Sequence, residues 1–285
     1  MSYPRGGQRY NGCSSSVLLS AEGMGQEASG TCTDLAGNIS EAAFMAGINI
    51  DKTPPVITPP DDQTLPATSI DGAVVTFVVT AADGLSGVET LTGDPVSGYQ
   101  FPIGKTTVAH TAVDMAGNIA AANHTVDVLG AQFLVLRARD SLAAYADESK
   151  DIAQAVRELD KISPGLWTDP LHLNSKDGHW AFDRAKTAVI KLDKAKGVSP
   201  EAQAAIVAAV DDLLTAFNLL ATMAVAEAAE APVDNQNQAR KRDKDVATAT
   251  DLIAQADSQR AAGDAVKAID LYRRAWDLIT GGGAS

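Results

Sequence analysis

The residues of this 285-residue chain that could do chemistry are acidic side chains in turn-like segments. The octapeptide TCTDLAGN contains Asp34, its near copy TAVDMAGN contains Asp114, and Asp83 lies in a third such segment, AADGLSG. Carboxylate oxygens are ligands that Ca²⁺ prefers, so these three residues are candidate calcium ligands. Asp, Gly and Asn also build tight turns without any metal. No EF-hand loop or Gly-rich nonapeptide repeat is present, so turn chemistry is the simpler interpretation, and no other cofactor is expected.

Catalytic patterns are missing from the sequence. His172, Asp177 and His179 lie close together, but they lack HExxH spacing and an obvious third ligand. Asp211 and Asp212 are adjacent on a predicted helix and therefore point in different directions, which excludes a paired acid and base. The chain also lacks a nucleophile elbow, a phosphate-binding loop and a Rossmann glycine run. We therefore expect no catalytic residues and no enzymatic activity.

Charge and hydropathy narrow the classes of partner. The net charge of −13 repels phosphate backbones and anionic lipid, so no nucleic-acid partner is expected. No run approaches 18 apolar residues, so no membrane insertion is expected either. Residues 1–130 hold 4 Lys/Arg against 13 Asp/Glu, whereas the rest is Ala-rich and densely charged with both signs. This shift near Gly130 predicts a domain boundary.

The acidic first part has the alternation of β-strands. Val108, His110 and Ala112 share one parity before the D-x-A-G-N corner, and Val126 and Val128 share a face after it. The segment GAVVTFVVTAAD (72–83) alternates in the same way. The repeated corner therefore predicts a hairpin turn built twice, at a period of about 80 residues, within β-sandwich modules. The paired prolines of DKTPPVI favour a joint between the modules at 51–57.

These segments resemble known repeats. Residues 51–128 resemble a hyalin-repeat (HYR) domain through DKTPPVITPP, GAVVTFVVTAAD, SGYQFPIGKTTV, TAVDMAGN and HTVDV. Residues 1–50 resemble the C-terminal half of a bacterial immunoglobulin-like repeat through VLLSAEGMGQEASGTCTDLAGN, with too few strands to close a sandwich. The resemblance implies immunoglobulin-like sandwiches that act as extracellular spacers or adhesion modules.

Cysteine usage departs from the hyalin-repeat pattern in an informative way. Gly93 and His110 stand where such repeats commonly have two cysteines, so His110 is expected to fill the core opposite the gap left by Gly93. The chain's two cysteines, Cys13 and Cys32, both lie in the first module. The resemblance implies a disulfide between them in an oxidising compartment. The alternative is a pair of buried thiols, whereas metal binding lacks CxxC spacing and further ligands.

The second part has helical periodicity from residue 131 onward. Ser149 is a predicted cap after a break in the first helical stretch, and Ser199-Pro200-Glu201 predicts a strong helix start. A long loop is predicted over 166–178 with Trp167 as an anchor, and a linker is predicted over 231–241. A final helical pair resembles half of a tetratricopeptide unit. The fold class is therefore β plus α, with sandwich repeats followed by an all-α bundle.

The helical part is similar to an uncharacterised C-terminal region that follows immunoglobulin-like repeats in bacterial secreted proteins. The similarity rests on SPGLWTDPLHL, DGHWAFDRAKTAVIKL and GDAVKAIDLYRRAW. It implies architecture and location but no activity.

Three domains are predicted: a partial immunoglobulin-like module at 1–50, an HYR domain at 51–129 and a helical bundle at 130–285. The leading hypothesis is a non-catalytic extracellular or cell-surface module that spaces and presents the bundle, with a surface glycan or protein as partner. One alternative is an accessory region of a secreted hydrolase. A third is a helical scaffold that binds proteins through Tyr272 and Trp276, which requires those aromatic rings to be exposed.

Overall fold

A computed structural model describes residues 10–281 of the chain. A β half with sandwich-like sheets precedes a helical half, which confirms the predicted fold class. Two structural units are distinguished by their internal packing: residues 10–61, 77–97 and 108–124 form unit 1, and residues 62–76, 98–107 and 125–281 form unit 2.

The described β half contains twelve strands. In chain order they are β1 (Tyr10–Cys13), β2 (Gly23–Gly30), β3 (Cys32–Asp34), β4 (Ala43–Ile50), β5 (Val56–Thr58), β6 (Gln63–Pro66), β7 (Ala73–Val75), β8 (Thr80–Ala82), β9 (Val88–Asp94), β10 (Tyr99–Phe101), β11 (Gly104–Asp114) and β12 (Ile119–Leu129).

The two longest described strands, β11 and β12, belong to a four-stranded sheet in the order β6-β12-β11-β9. Strands β11 and β9 pair antiparallel, with His110 directly opposite Gly93. Strands β12 and β6 pair in parallel. The predicted alternation is confirmed, since the side chains of Val108, His110 and Ala112 are fully buried while their neighbours along the strand are not.

The predicted continuous strand over 72–83 is wrong in one respect. Its alternation of inward and outward side chains holds, but β7 and β8 are separated by a non-strand stretch around Phe77. The backbone of Phe77 bonds a side chain rather than a neighbouring strand: its N–H donates to Ser97 Oγ, which in turn donates to the Phe77 carbonyl, each at 2.9 Å. Side-chain competition of this kind interrupts a ladder and leaves no trace in a hydrophobic pattern.

The first module contains two two-stranded sheets, β1-β3 and β2-β4. Strand β4 carries exposed apolar side chains at Phe44 and Met45, which are adjacent in sequence and therefore point to opposite faces. Within the described residues, this module therefore lacks the enclosed apolar layer of a finished sandwich.

Six α-helices and a small hairpin make up the described helical half. They are α1 (Ala131–Ala143), α2 (Lys150–Leu159), the hairpin strands β13 (Trp167–Asp169) and β14 (His172–Leu173), α3 (His179–Leu192), α4 (Pro200–Glu230), α5 (Gln236–Ala261) and α6 (Ala265–Thr280). Ser149 and Ser199 cap α2 and α4 as predicted, each accepting a bond from an N–H in the first turn.

Two predicted boundaries in this half need correction. The polar linker ends at Asn235 rather than at residue 241, because the Asn235 side chain caps α5 by accepting from the N–H groups of Asn237 and Gln238. The long loop over 166–178 contains the β13-β14 hairpin, since Asp169 accepts from the N–H of Leu171 and turns the chain there.

The bundle core is built around aromatic rings contributed by three helices. Phe182 of α3 lies 4.6 Å from Phe217 of α4 and 5.6 Å from Trp276 of α6, measured between ring centroids. Tyr272 is fully buried and donates from its hydroxyl to Asp257 of α5 at 2.5 Å. Burial raises the pKa of Tyr272 to about 12, with the bond to Asp257 as a further cause.

Helix α4 is long and predominantly apolar. An 18-residue window of this 31-residue helix has a mean hydropathy of 1.7. By length and composition alone, the helix could cross a membrane. Asp211, Asp212 and Asn218 interrupt the apolar residues of this helix, so it holds no run of 18 apolar residues, and the absence of membrane insertion stays a prediction. Half of the window is buried inside the bundle, as is common for the core helix of a helical domain.

Candidate functional site

Three carboxylates converge within unit 1. Asp51, Asp83 and Asp114 each offer an oxygen, and these oxygens all lie within 4.8 Å of one another. The structure therefore brings together two of the three predicted calcium candidates, Asp83 and Asp114, and adds Asp51. We refer to these three residues as the carboxylate cluster.

Each member of the cluster is placed by a different connection. Asp114 ends β11 and begins the D-x-A-G-N corner, Asp83 follows β8, and Asp51 follows β4. Asp83 Oδ1 accepts from the N–H groups of Ser86 and Gly87 at 2.8 Å each, which folds its loop into a turn. The sequence places each aspartate in a turn or a connection of its own, but it does not show that the three connections meet.

Hydrogen bonds between the connections hold the cluster together. Asp51 Oδ2 accepts from the N–H of Ser86 at 3.0 Å. The N–H of Met115 donates to the carbonyl of Gly87 at 3.0 Å, which ties the corner to the loop after Asp83. These bonds join the loop after Asp83 both to Asp51 and to the corner that begins at Asp114.

Asp114 is fully buried, and its electrostatics combine opposing effects. Burial raises the pKa of its carboxyl group, but bonds from the Asn118 side chain and from the backbone N–H groups of Asn118 and Ala116 lower it by more. The net result is a lowered pKa, so this side chain is a carboxylate at neutral pH.

The chemistry of the cluster suits a hard cation with oxygen ligands. Three carboxylates so close together repel one another, and a divalent cation would offset that repulsion. The donor set is smaller than the six to eight oxygens that Ca²⁺ takes, so backbone oxygens or water would have to complete it. Calcium binding stays a prediction.

Asp34 lies in the first corner, and its surroundings differ from those of Asp114. Bonds from the Asn38 side chain and backbone lower the pKa of Asp34. No group of three metal-ligating side chains within the described residues includes Asp34. Its place in the chain is therefore explained by turn formation.

His110 fills the core opposite Gly93, as expected from the lost cysteines. A Cβ atom added to Gly93 would lie 3.1 Å from His110 Nδ1, so the glycine leaves the space that the imidazole takes. His110 Nε2 lies 2.9 Å from His124 Nδ1, and the two rings stack with centroids 5.1 Å apart. Phe77 meets both rings edge-on. This packing gives His110 a structural role.

The predicted disulfide is confirmed. Cys13 and Cys32 are bonded to each other and occupy directly opposed positions on β1 and β3. The alternative of two buried thiols is thereby excluded. The bond closes a loop of about 20 residues around the first module, just before its corner.

Asp211, Asp212 and His172, three of the residues considered for chemistry in the helical half, form ion pairs. Asp212 accepts from Arg137 of α1 and Asp211 accepts from Arg260 of α5, so the two carboxylates serve different helices. His172 bonds acidic side chains on both of its ring nitrogens. The sequence did not indicate this last arrangement, because one of its partners is 55 residues away.

Comparison with known proteins adds one finding. No curated protein matches the chain. Residues 50–128 match the family model described as the HYR domain, in agreement with the resemblance found in the sequence. The similarity of the helical half to a region of bacterial secreted proteins stays a prediction. This chain therefore carries an HYR domain over residues 50–128.

Proposed function

We propose that this protein is a non-catalytic extracellular or cell-surface module in which the HYR domain spaces and presents the helical bundle to a surface glycan or protein. The observation that carries the proposal is the HYR match over residues 50–128, because HYR domains are extracellular modules associated with adhesion. The Cys13–Cys32 disulfide supports the same compartment, since such bonds persist in oxidising environments.

The distribution of side chains supports a spacer rather than a reaction centre. The buried imidazoles of the HYR domain pack against each other and against Phe77, and Asp114 is occupied by backbone donors of its own turn. The third hypothesis, a scaffold that binds through Tyr272 and Trp276, loses its surface because both side chains are buried in the bundle.

Two measurements on the producing cells test the proposal. Intact cells are treated with a membrane-impermeant biotin reagent, and the chain is then compared with a cytosolic marker. Thiols are blocked before and after reduction, and the labelled cysteines are read by mass spectrometry. We expect biotinylation of the chain but not of the marker, together with Cys13 and Cys32 labelled only after reduction. An unlabelled chain with free thiols would refute the extracellular assignment.

The adhesion part is tested separately with the full chain coupled to fluorescent beads. The beads are applied to a glycan array and to cells of species that live beside the producing organism, and albumin-coated beads serve as the control. Saturable retention supports an adhesive role. Immunoprecipitation followed by an immunoblot tests the alternative. A protein much longer than 285 residues on the blot, together with hydrolase activity in the immunoprecipitate, favours an accessory region of a secreted hydrolase.

A further inference from the structure

A short hairpin crosses the surface of the helical bundle. We call residues 167–173 the strap. Leu171 and Leu173 of the strap are buried, and the carbonyl of Pro170 accepts from the N–H of Gln132 at 3.0 Å at the start of α1. The strap is therefore anchored at its tip and by its two leucines.

His172 of the strap bonds a carboxylate on each side of its ring. Nδ1 lies 2.8 Å from both carboxylate oxygens of Asp169, within the strap. Nε2 lies 2.8 Å from Glu227 Oε1, on α4. Carboxylates only accept hydrogen bonds, and a neutral imidazole has a single N–H to donate. Both bonds can therefore exist together only when the ring carries two protons and a positive charge.

The bond between His172 and Glu227 lies beside a groove of the bundle. The strap, α4 and α6 line a cavity of about 380 Å³. Leu220 of α4 and Trp276 and Ile279 of α6 supply apolar lining, while His172 and Glu227 supply the polar side. Closing the bond joins the strap to α4 next to this cavity.

We propose that His172 is a pH-sensitive tie between the strap and α4, and that loss of its proton releases this side chain of the strap from Glu227 beside the groove. The tie is complete only while both ring nitrogens of His172 carry a proton. Leu171 also donates to Asp169 at 2.8 Å, which keeps that carboxylate within the strap. The Glu227 bond is therefore the one that links two elements.

The ionisable groups around His172 support this assignment. Asp169 faces the ring from the strap and Glu227 faces it from α4, both about half exposed. From α6 the described cavity lining consists of Trp276, Ile279 and Thr280, which do not titrate. In the neighbouring cavity, Lys241 pairs with Asp245 at 2.6 Å and Arg242 pairs with Asp243 at 2.8 Å.

Hydrogen exchange of the full chain tests the proposal. Strap peptides are followed by mass spectrometry at about pH 5.5 and about pH 8.5, on either side of the range in which histidine ordinarily titrates. Rates are divided by the intrinsic rate at each pH, and α2 peptides serve as the internal reference. We expect strap protection in the wild type to fall about 2- to 5-fold at the higher pH, in line with the loss of one partly exposed ion pair.

Variants separate the tie from a general effect of pH. Glu227→Gln is expected to remove the pH dependence of strap protection, whereas the matched control Glu230→Gln, on the same helix, is expected to retain it. Equal protection at both pH values in the wild type, or an unchanged fall in Glu227→Gln, overturns the proposal. A second readout needs no variant: ¹⁵N NMR at about pH 5.5 is expected to show both His172 nitrogens protonated, and a bare nitrogen there overturns it as well.

Discussion

The two D-x-A-G-N corners have the same internal hydrogen bonds in different settings. In the first, Asp34 Oδ1 accepts from the N–H groups of Ala36 and Asn38 at 2.8 and 2.9 Å. In the second, Asp114 Oδ1 accepts from the equivalent groups at 2.9 and 2.8 Å. The glycine of each corner has φ of 89°. Five residues are thus sufficient to specify the turn, whatever surrounds it.

The surroundings decide what else each corner does. Asp34 is partly exposed, whereas Asp114 is fully buried and lies in the carboxylate cluster with Asp51 and Asp83. The strands leading into the corners also differ, because one is held by a disulfide and the other by an imidazole opposite a glycine. A shared motif therefore indicates a shared turn but not a shared role.

Among these predictions, removing the aspartate from each corner is expected to give the largest difference in stability between the two corners. Asp114→Ala removes a fully buried acceptor from the N–H groups of Ala116 and Asn118, whereas Asp34→Ala removes a partly exposed one whose donors can bond water instead. We expect Asp114→Ala to lower the Tm of the HYR domain by on the order of 10 °C, and Asp34→Ala to leave that transition nearly unchanged. Differential scanning calorimetry of the full chain measures both. Equal shifts would show that burial does not distinguish the corners.

Removing the disulfide tests how the first corner is held. The loop-entropy model gives about 3 kcal/mol of stabilisation for a loop of this size. The double variant Cys13→Ser/Cys32→Ser is therefore expected to lose protection from hydrogen exchange in β1 and β3, while β11 and β12 keep theirs. A loss of protection that extends equally into β11 would contradict the separate stabilisation of the two corners.

A methyl group placed at Gly93 tests how the second corner is held. Gly93→Ala would bring its Cβ within 3.1 Å of His110 Nδ1, and overpacking of this kind costs about 2 kcal/mol. Gly84→Ala is the matched control, since a Cβ there meets no atom within 4 Å. Urea unfolding of the HYR domain compares the two. The packing account fails if Gly93→Ala is as stable as the control.

Acid is expected to affect the two corners in the same direction. Both aspartates have a lowered pKa in the folded state, so each contributes stability that is present above the unfolded value of 3.8 and is lost as the pH falls through the folded value. Between about pH 5 and about pH 2, the HYR transition of Asp114→Asn is expected to depend less steeply on pH than that of the wild type. An identical dependence would assign the acid sensitivity to other groups.

Calcium is expected to give the smallest effect, and only at the second corner. If the carboxylate cluster binds Ca²⁺ with the millimolar affinity common in extracellular modules, 5 mM Ca²⁺ raises the Tm of the HYR domain by about 5 °C over chelator. Asp83→Asn is expected to abolish this rise and Asp34→Asn to retain it. A Tm that is indifferent to calcium and chelator would remove the metal interpretation.

The local features of this molecule could be predicted from its sequence. Both corners, the alternation along β11 and the caps Ser149 and Ser199 depend on neighbouring residues, whose types determine backbone conformation directly. The pairing of His110 with Gly93 could also be anticipated, because the resemblance to hyalin repeats identifies two positions that face each other.

The remaining features depend on contacts between distant segments. Asp51 reaches the carboxylate cluster only because three connections meet, and its DKTPP context indicated only a joint. Ser97 interrupts a predicted strand from 20 residues away, and Glu227 reaches His172 from 55 residues away. No periodicity or motif records such contacts, so they become visible only in the three-dimensional arrangement.

The most direct test of the comparison between the corners is hydrogen exchange at their equivalent amides, measured by NMR on the unmodified chain. The account predicts that the amides of Ala116 and Asn118 exchange at least about 100-fold more slowly than those of Ala36 and Asn38, because they bond a buried carboxylate rather than a partly exposed one. Equal exchange rates at the two corners would contradict it.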